Sequence, residues 1–183
     1  MKKILWKGEC FEVPTRDSQR SKAYAAERRA FPEMFTKEFD DLQKEIDRVT
    51  GSKFWRKLLK INGNPYLKIT AVRATRRRAW ATRWQVAIPK RMRSYSLLYH
   101  ELAHAAVGRF HGWNWAATYL LLVRHYLGKE AHDRLKAEFQ AGKVRHLPPR
   151  KTKPMSPERL EALRAGAAKA RAALAAKRAA KDS

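Results

Sequence analysis

The sequence predicts an α+β domain followed by a basic helical tail, and three observations carry that prediction. Apolar residues recur every three to four positions over 33–49, 95–107, 115–126 and 130–140, the period of helices with one face turned inward. Over 67–88 the period drops to two. Leu67, Ile69 and Ala71, then Trp80, Thr82, Trp84, Val86 and Ile88, alternate with their neighbours as strands do. From residue 147 a Pro-, Lys- and Arg-rich linker leads into an Ala/Lys/Arg run with few large apolar side chains, which cannot build a core. The organisation expected is a lead over 1–15, a globular domain over 16–146, a linker over 147–155 and a tail over 156–183.

The lead reads as irregular or briefly extended, ending near Pro14. Asp17 or Ser18 is placed to cap a helix running to Ala30, with Tyr24, Ala25 and Phe31 on its apolar side and Pro32 ending it. The helix over 33–49 carries Met34, Phe39, Leu42, Ile46 and Val49. Thr50-Gly51-Ser52 breaks the chain. The two strands that follow are expected to be antiparallel neighbours, with Arg76, Arg77 and Arg78 exposed at their junction, either solvated or in contact with phosphate. Pro89 stops the second strand, and Ser94 or Ser96 can open the next helix.

That helix, within residues 95–112, holds the residues able to do chemistry. His100 and His104 are four apart, so on a helix they stand one above the other and can grip one metal ion. Glu101 lies about 100° further round the axis, where it can reach a water on that ion. A catalytic zinc usually takes three protein ligands and leaves a fourth position open, so a third donor is required. His111 is the candidate, because Gly108 can end the helix in a left-handed conformation and return the chain. His125, His132 and His146 lack this spacing and read as surface or packing residues.

The chain carries 41 Lys and Arg against 17 Asp and Glu, a formal net charge of +24. That balance predicts a polyanionic partner, DNA or RNA ahead of an anionic membrane surface. The tail contributes candidates in Lys169, Arg171, Lys177 and Arg178. Cys10 is the lone cysteine, which excludes an internal disulfide and a cysteine-built zinc ribbon and fits a reducing cytoplasm. No stretch has the length and apolarity of a membrane span. Lys7 and Glu9 interrupt the N-terminal apolar run that a signal peptide needs.

HELAH at 100–104, HG at 111–112 and the helix AATYLLLVRHYLG that follows resemble the SprT-like zincin metallopeptidases, most closely the small HExxH metallohydrolases of actinobacteria and their phages. The stretch from Arg16 to Arg20 and Tyr24-Ala25-Ala26-Glu27 are similar to that family's N-terminal region, so the resemblance spans roughly residues 16–150. Where the family tends to have Pro, a polar residue and Phe, this chain has Trp113-Asn114-Trp115. The resemblance implies a zincin-like α+β domain with a small antiparallel sheet and an HExxH helix. It also implies Zn2+ on His100, His104 and His111, Glu101 as catalytic base, a protein or peptide substrate and a cytoplasmic setting (a host's, if phage-encoded).

The expected activity is zinc-dependent peptide hydrolysis, with Glu101 activating a water on the metal, acting near nucleic acid. Tyr119, Tyr126 or His125 could add an oxyanion donor, and the strand over 80–88 could align an extended peptide. Two alternatives stand beside this: a non-catalytic nucleic-acid-binding protein with a structural zinc site, and a hydrolase of some other bond.

Overall fold

Alanine at inward positions of a helix lets its neighbour approach closely, and α1 (Arg20–Ala30) buries Ala23, Ala26 and Ala30 together with a single charged residue, Glu27. In this computed structural model, which describes residues 3–6, 9–12, 17–32, 37–62, 68–74, 78–149 and 157–179, α1 lies against α6 (Lys129–Ala141). Helix α6 buries Ala131, Leu135 and Phe139. Two Gln19–Arg145 hydrogen bonds, at 3.0 and 2.9 Å, tie the entry of α1 to the chain leaving α6. The chain divides into two units, Met1–Pro148 and Pro149–Ser183.

Helix α2 (Phe39–Thr50) turns Leu42, Ile46 and Val49 inward. It begins later than the periodicity predicts. Glu38 is extended, and the Lys37 N–H is committed to the Arg93 carbonyl at 2.8 Å, so this segment bonds across the fold and not along a helix. Residues 33–36, including Met34, lie outside the described residues. Helix α3 (Lys53–Asn62) was not anticipated. Ser52 Oγ accepts the Trp55 N–H at 3.0 Å, and Trp55, Leu58 and Leu59 are buried.

The sheet departs from expectation in topology. Strands β3 (Thr70–Arg73), β4 (Trp80–Ala81) and β5 (Gln85–Ile88) run in the order β3-β5-β4, with β3 parallel and β4 antiparallel to β5. The sheet is therefore mixed, and residues 80–88 form two strands. Thr82 causes the reversal: its Oγ1 accepts the Gln85 N–H at 3.0 Å while its own N–H reaches the Gln85 carbonyl at 2.8 Å. At the outer edge of β3, Gln43 of α2 accepts the Ala71 N–H at 2.8 Å.

Helix α4 (Tyr95–Val107) is capped by Ser94, whose Oγ accepts the Leu97 N–H at 3.2 Å. It is buried on almost every side, with β5 across one face and α5 (Trp113–Tyr126) along another. Two further strands, β1 (Lys3–Trp6) and β2 (Glu9–Glu12), pair as an antiparallel hairpin within the lead that reads as irregular or briefly extended. Phe11 packs edge-on to Trp113 at 5.7 Å. The fold is thus α+β, with seven helices among the described residues.

The second unit contains α7 (Pro157–Ala179), whose described side chains are exposed. Among the described residues no helix is long and apolar enough to cross a membrane.

Candidate metal centre

On α4, opened by the Ser94 cap, His100 and His104 lie one turn apart with their rings edge-on at 5.0 Å. Gly108 ends the helix at φ 110°, a backbone region open to glycine and closed to most side chains. Its N–H bonds the His104 carbonyl at 2.7 Å, and its own carbonyl accepts from His104 Nδ1 at 2.9 Å. The turn brings His111 back onto the pair. His111 Nε2 lies 3.1 Å from His104 Nε2 and 3.3 Å from His100 Nε2.

Each of these rings has its other nitrogen occupied by an oxygen. His100 Nδ1 lies 2.8 Å from Glu27 Oε2, and His111 Nδ1 lies 3.0 Å from Asp17 Oδ1. Ionised carboxylates and a backbone carbonyl only accept, so all three imidazoles carry a proton on Nδ1 and turn Nε2 toward one another. Three converging lone pairs repel unless a cation sits between them. This buried triad can hold a metal ion.

The protonation energetics agree with this for two of the three rings and oppose it for His100. Burial drives His104 well below the usual histidine range, with the nearby His100 and His111 adding to the effect. Burial, reinforced by His100, lowers His111 to about 4. Both are neutral near pH 7, as ligands must be. Burial also acts to lower His100, but Glu27 and Glu101 outweigh it and leave its pKa raised.

Packing fixes the rings. Trp115 of α5 lies beneath all three, at 4.7, 5.4 and 4.5 Å from His100, His104 and His111, and its Nε1–H reaches the His100 carbonyl at 3.3 Å. Tyr24 of α1 stacks on His100 at 5.2 Å. The Tyr119 hydroxyl donates to Glu27 Oε1 at 2.8 Å, so that carboxylate joins α1, α4 and α5.

His104, His111 and Glu101 open onto a cleft of about 460 Å³ whose walls include Arg20, Tyr24, Trp80, Ala81 and Arg109. Glu101 is only 3% exposed, and burial pushes its carboxyl up to about 7, a rise that His100 opposes and Glu27 reinforces. A group with that pKa can both take and return a proton near neutrality.

The other expected contributors fall elsewhere. Tyr119 is fully buried on Glu27, the Tyr126 hydroxyl bonds Ser52 Oγ at 2.9 Å, and His125 stacks on Phe54 at 4.1 Å. None of the three lines the cleft. Arg78 is exposed just before β4, whereas Arg76 and Arg77 lie outside the described residues. Lys169 and Arg171 are exposed on α7; Lys177 and Arg178 belong to the same helix, with side chains outside the described residues.

The sequence places Asp17, Arg20, Tyr24 and Glu27 in the first helix region but does not mark them as site residues. Their spacing held a signal: Arg20, Tyr24 and Glu27 follow one another at four and three residues, one polar line on an alanine-faced helix. Asp17 does not cap α1, because its carboxylate is taken by the His111 N–H and Nδ1. No protein-family model, curated protein or solved structure matches the chain.

Proposed function

We propose that the chain is a zinc-dependent metallopeptidase with a zincin-like, SprT-like domain. The observation that carries this reading is the convergence of three Nε2 atoms beside a buried carboxylate that faces an open cleft. Nitrogens about 2.0–2.1 Å from a tetrahedral ion stand about 3.3 Å from each other. The separations of 3.1 and 3.3 Å fit that donor set, and an all-imidazole set suits zinc.

His100, His104 and His111 would hold the ion, with Glu27, the Gly108 carbonyl and Asp17 fixing their orientation. When bound, zinc supplies Lewis acidity, which acidifies water and polarises a carbonyl. Glu101 takes the proton of the attacking water and passes it to the departing amine. Trp80 and Ala81 belong to β4, an edge strand of the described sheet and a wall of the cleft, so an extended peptide can be aligned there by main-chain hydrogen bonds. Arg20 and Arg109 on the cleft walls favour acidic side chains in that peptide. The net charge of +24 supports action near nucleic acid.

Glu101→Gln is the test. The variant should bind one zinc per chain with near-normal affinity and cleave casein about 10²- to 10⁴-fold more slowly than the parent. Unchanged turnover with zinc retained would defeat the proposal. A parent protein that binds zinc but cleaves no peptide would favour a structural metal site.

A further inference from the structure

Helix α3 has an electrostatic pattern that the fold itself does not use. Trp55, Leu58 and Leu59 fill the core, while the opposite side carries Lys53, Arg56, Lys57 and Lys60, all exposed. Offsets of three, four and seven residues put these four cations in one stripe along the helix. The helix contains no acidic residue, and among the described residues none of the four has a carboxylate within ion-pair distance. Some cations elsewhere are paired, Arg29 with Glu138, Arg48 with Glu45 and Lys129 with Asp133.

This arrangement is unfavourable in isolation. Like charges three and four apart repel, and Lys53 in the first turn also opposes the positive end of the helix dipole. A bound polyanion would remove both penalties. We propose that the exposed stripe of α3 is a docking face for the phosphate backbone of nucleic acid, distinct from the metal centre and independent of its chemistry.

The geometry favours nucleic acid over a membrane. A helix that lies on a bilayer needs its apolar side free, and the apolar side of α3 is buried in the core. No large exposed hydrophobic residue of the described structure lies on this helix. The stripe offers charge alone, which is sufficient for a phosphate backbone. From Lys53 to Lys60 it extends about 10.5 Å along the axis, enough to follow successive phosphates that rise about 3.4 Å per nucleotide along a strand. Such contacts read no bases, so binding should be nearly indifferent to sequence.

The test compares the full-length protein with its Lys53→Gln/Arg56→Gln/Lys57→Gln/Lys60→Gln variant, using anisotropy of a labelled mixed-sequence DNA duplex and a labelled single-stranded RNA between about 50 and 200 mM salt. The variant should bind at least one of these probes more weakly. For the duplex, its log K against log salt slope should be shallower by about 0.9 for each phosphate contact removed. Affinity and slope unchanged for both probes would overturn the proposal. So would loss of binding to phosphatidylserine vesicles with nucleic-acid binding intact. Circular dichroism and zinc content check the fold; if the fourfold variant fails to fold, Lys57→Gln and Lys60→Gln singly should each lower the slope, and no change in either would equally overturn it.

Discussion

Asp17 holds His111 twice: its Oδ1 accepts the backbone N–H and lies 3.0 Å from Nδ1, across 94 residues of sequence. One carboxylate thus sets both the position of the loop after α4 and the rotation of the ring it carries. Asp17→Ala should weaken zinc binding about 10- to 100-fold, measured by competition with a chromophoric chelator. An affinity equal to the parent's would show that His111 is held by packing alone.

The two left-handed glycines form a matched pair. Gly108 and Gly128 have φ of 110° and 92°, and an added methyl at either meets nothing within 4 Å, so substitution brings backbone strain without a clash. Alanine at either position should cost about 1–3 kcal/mol in urea unfolding. Only Gly108→Ala should also reduce zinc affinity, because only its carbonyl bonds one of the three converging imidazoles. Equal zinc affinity in both variants would contradict that role.

Tyr24 separates into a ring and a hydroxyl. Its ring packs on His100, while burial, with Glu101 next in effect, raises its pKa, so the hydroxyl stays protonated at neutral pH and can donate to a developing oxyanion. Tyr24→Phe should keep the zinc and lower kcat by about 10²-fold, with KM little changed. An unaltered kcat would assign the residue to packing.

Glu101 should destabilise the metal-free fold. Its carboxyl lies near about 7 in the folded protein against an ordinary 4.5, so between these values the folded state binds the proton that the unfolded state has released. Stability therefore falls as pH rises through that window, and above it the folded chain must bury a charge. A displacement of that size corresponds to about 3 kcal/mol. Metal-free Glu101→Gln should then be the more stable protein at pH 8, with the gap closing as pH falls toward 4.5. Chemical denaturation with a chelator present, at several pH values, measures this. A gap that does not change with pH would refute it.

The local part of the site was legible. His100, Glu101 and His104 follow from one helix period, and Gly108 announces the turn that returns His111, so neither step needs distant information. Glu27 and Asp17 reach their histidines across 73 and 94 residues, and no local spacing encodes those encounters. Alternation revealed strands but not their partners: β5 lies between β3 and β4 because Thr82 folds the chain back. Helix α3 carried a readable pattern, since Phe54, Trp55, Leu58 and Leu59 recur at helical spacing among Lys and Arg, directly after the break at Thr50-Gly51-Ser52.

Glu27 fastens α1, α4 and α5 together through His100 and Tyr119, and does so with groups the protein supplies itself. An ion bound by the three histidines should therefore meet a site already held in place. Its uptake should be paced by shedding its own hydration and not by chain rearrangement, and it should be exchangeable while the fold stays intact, unlike the ion of a zinc finger, which must leave an unfolded peptide behind.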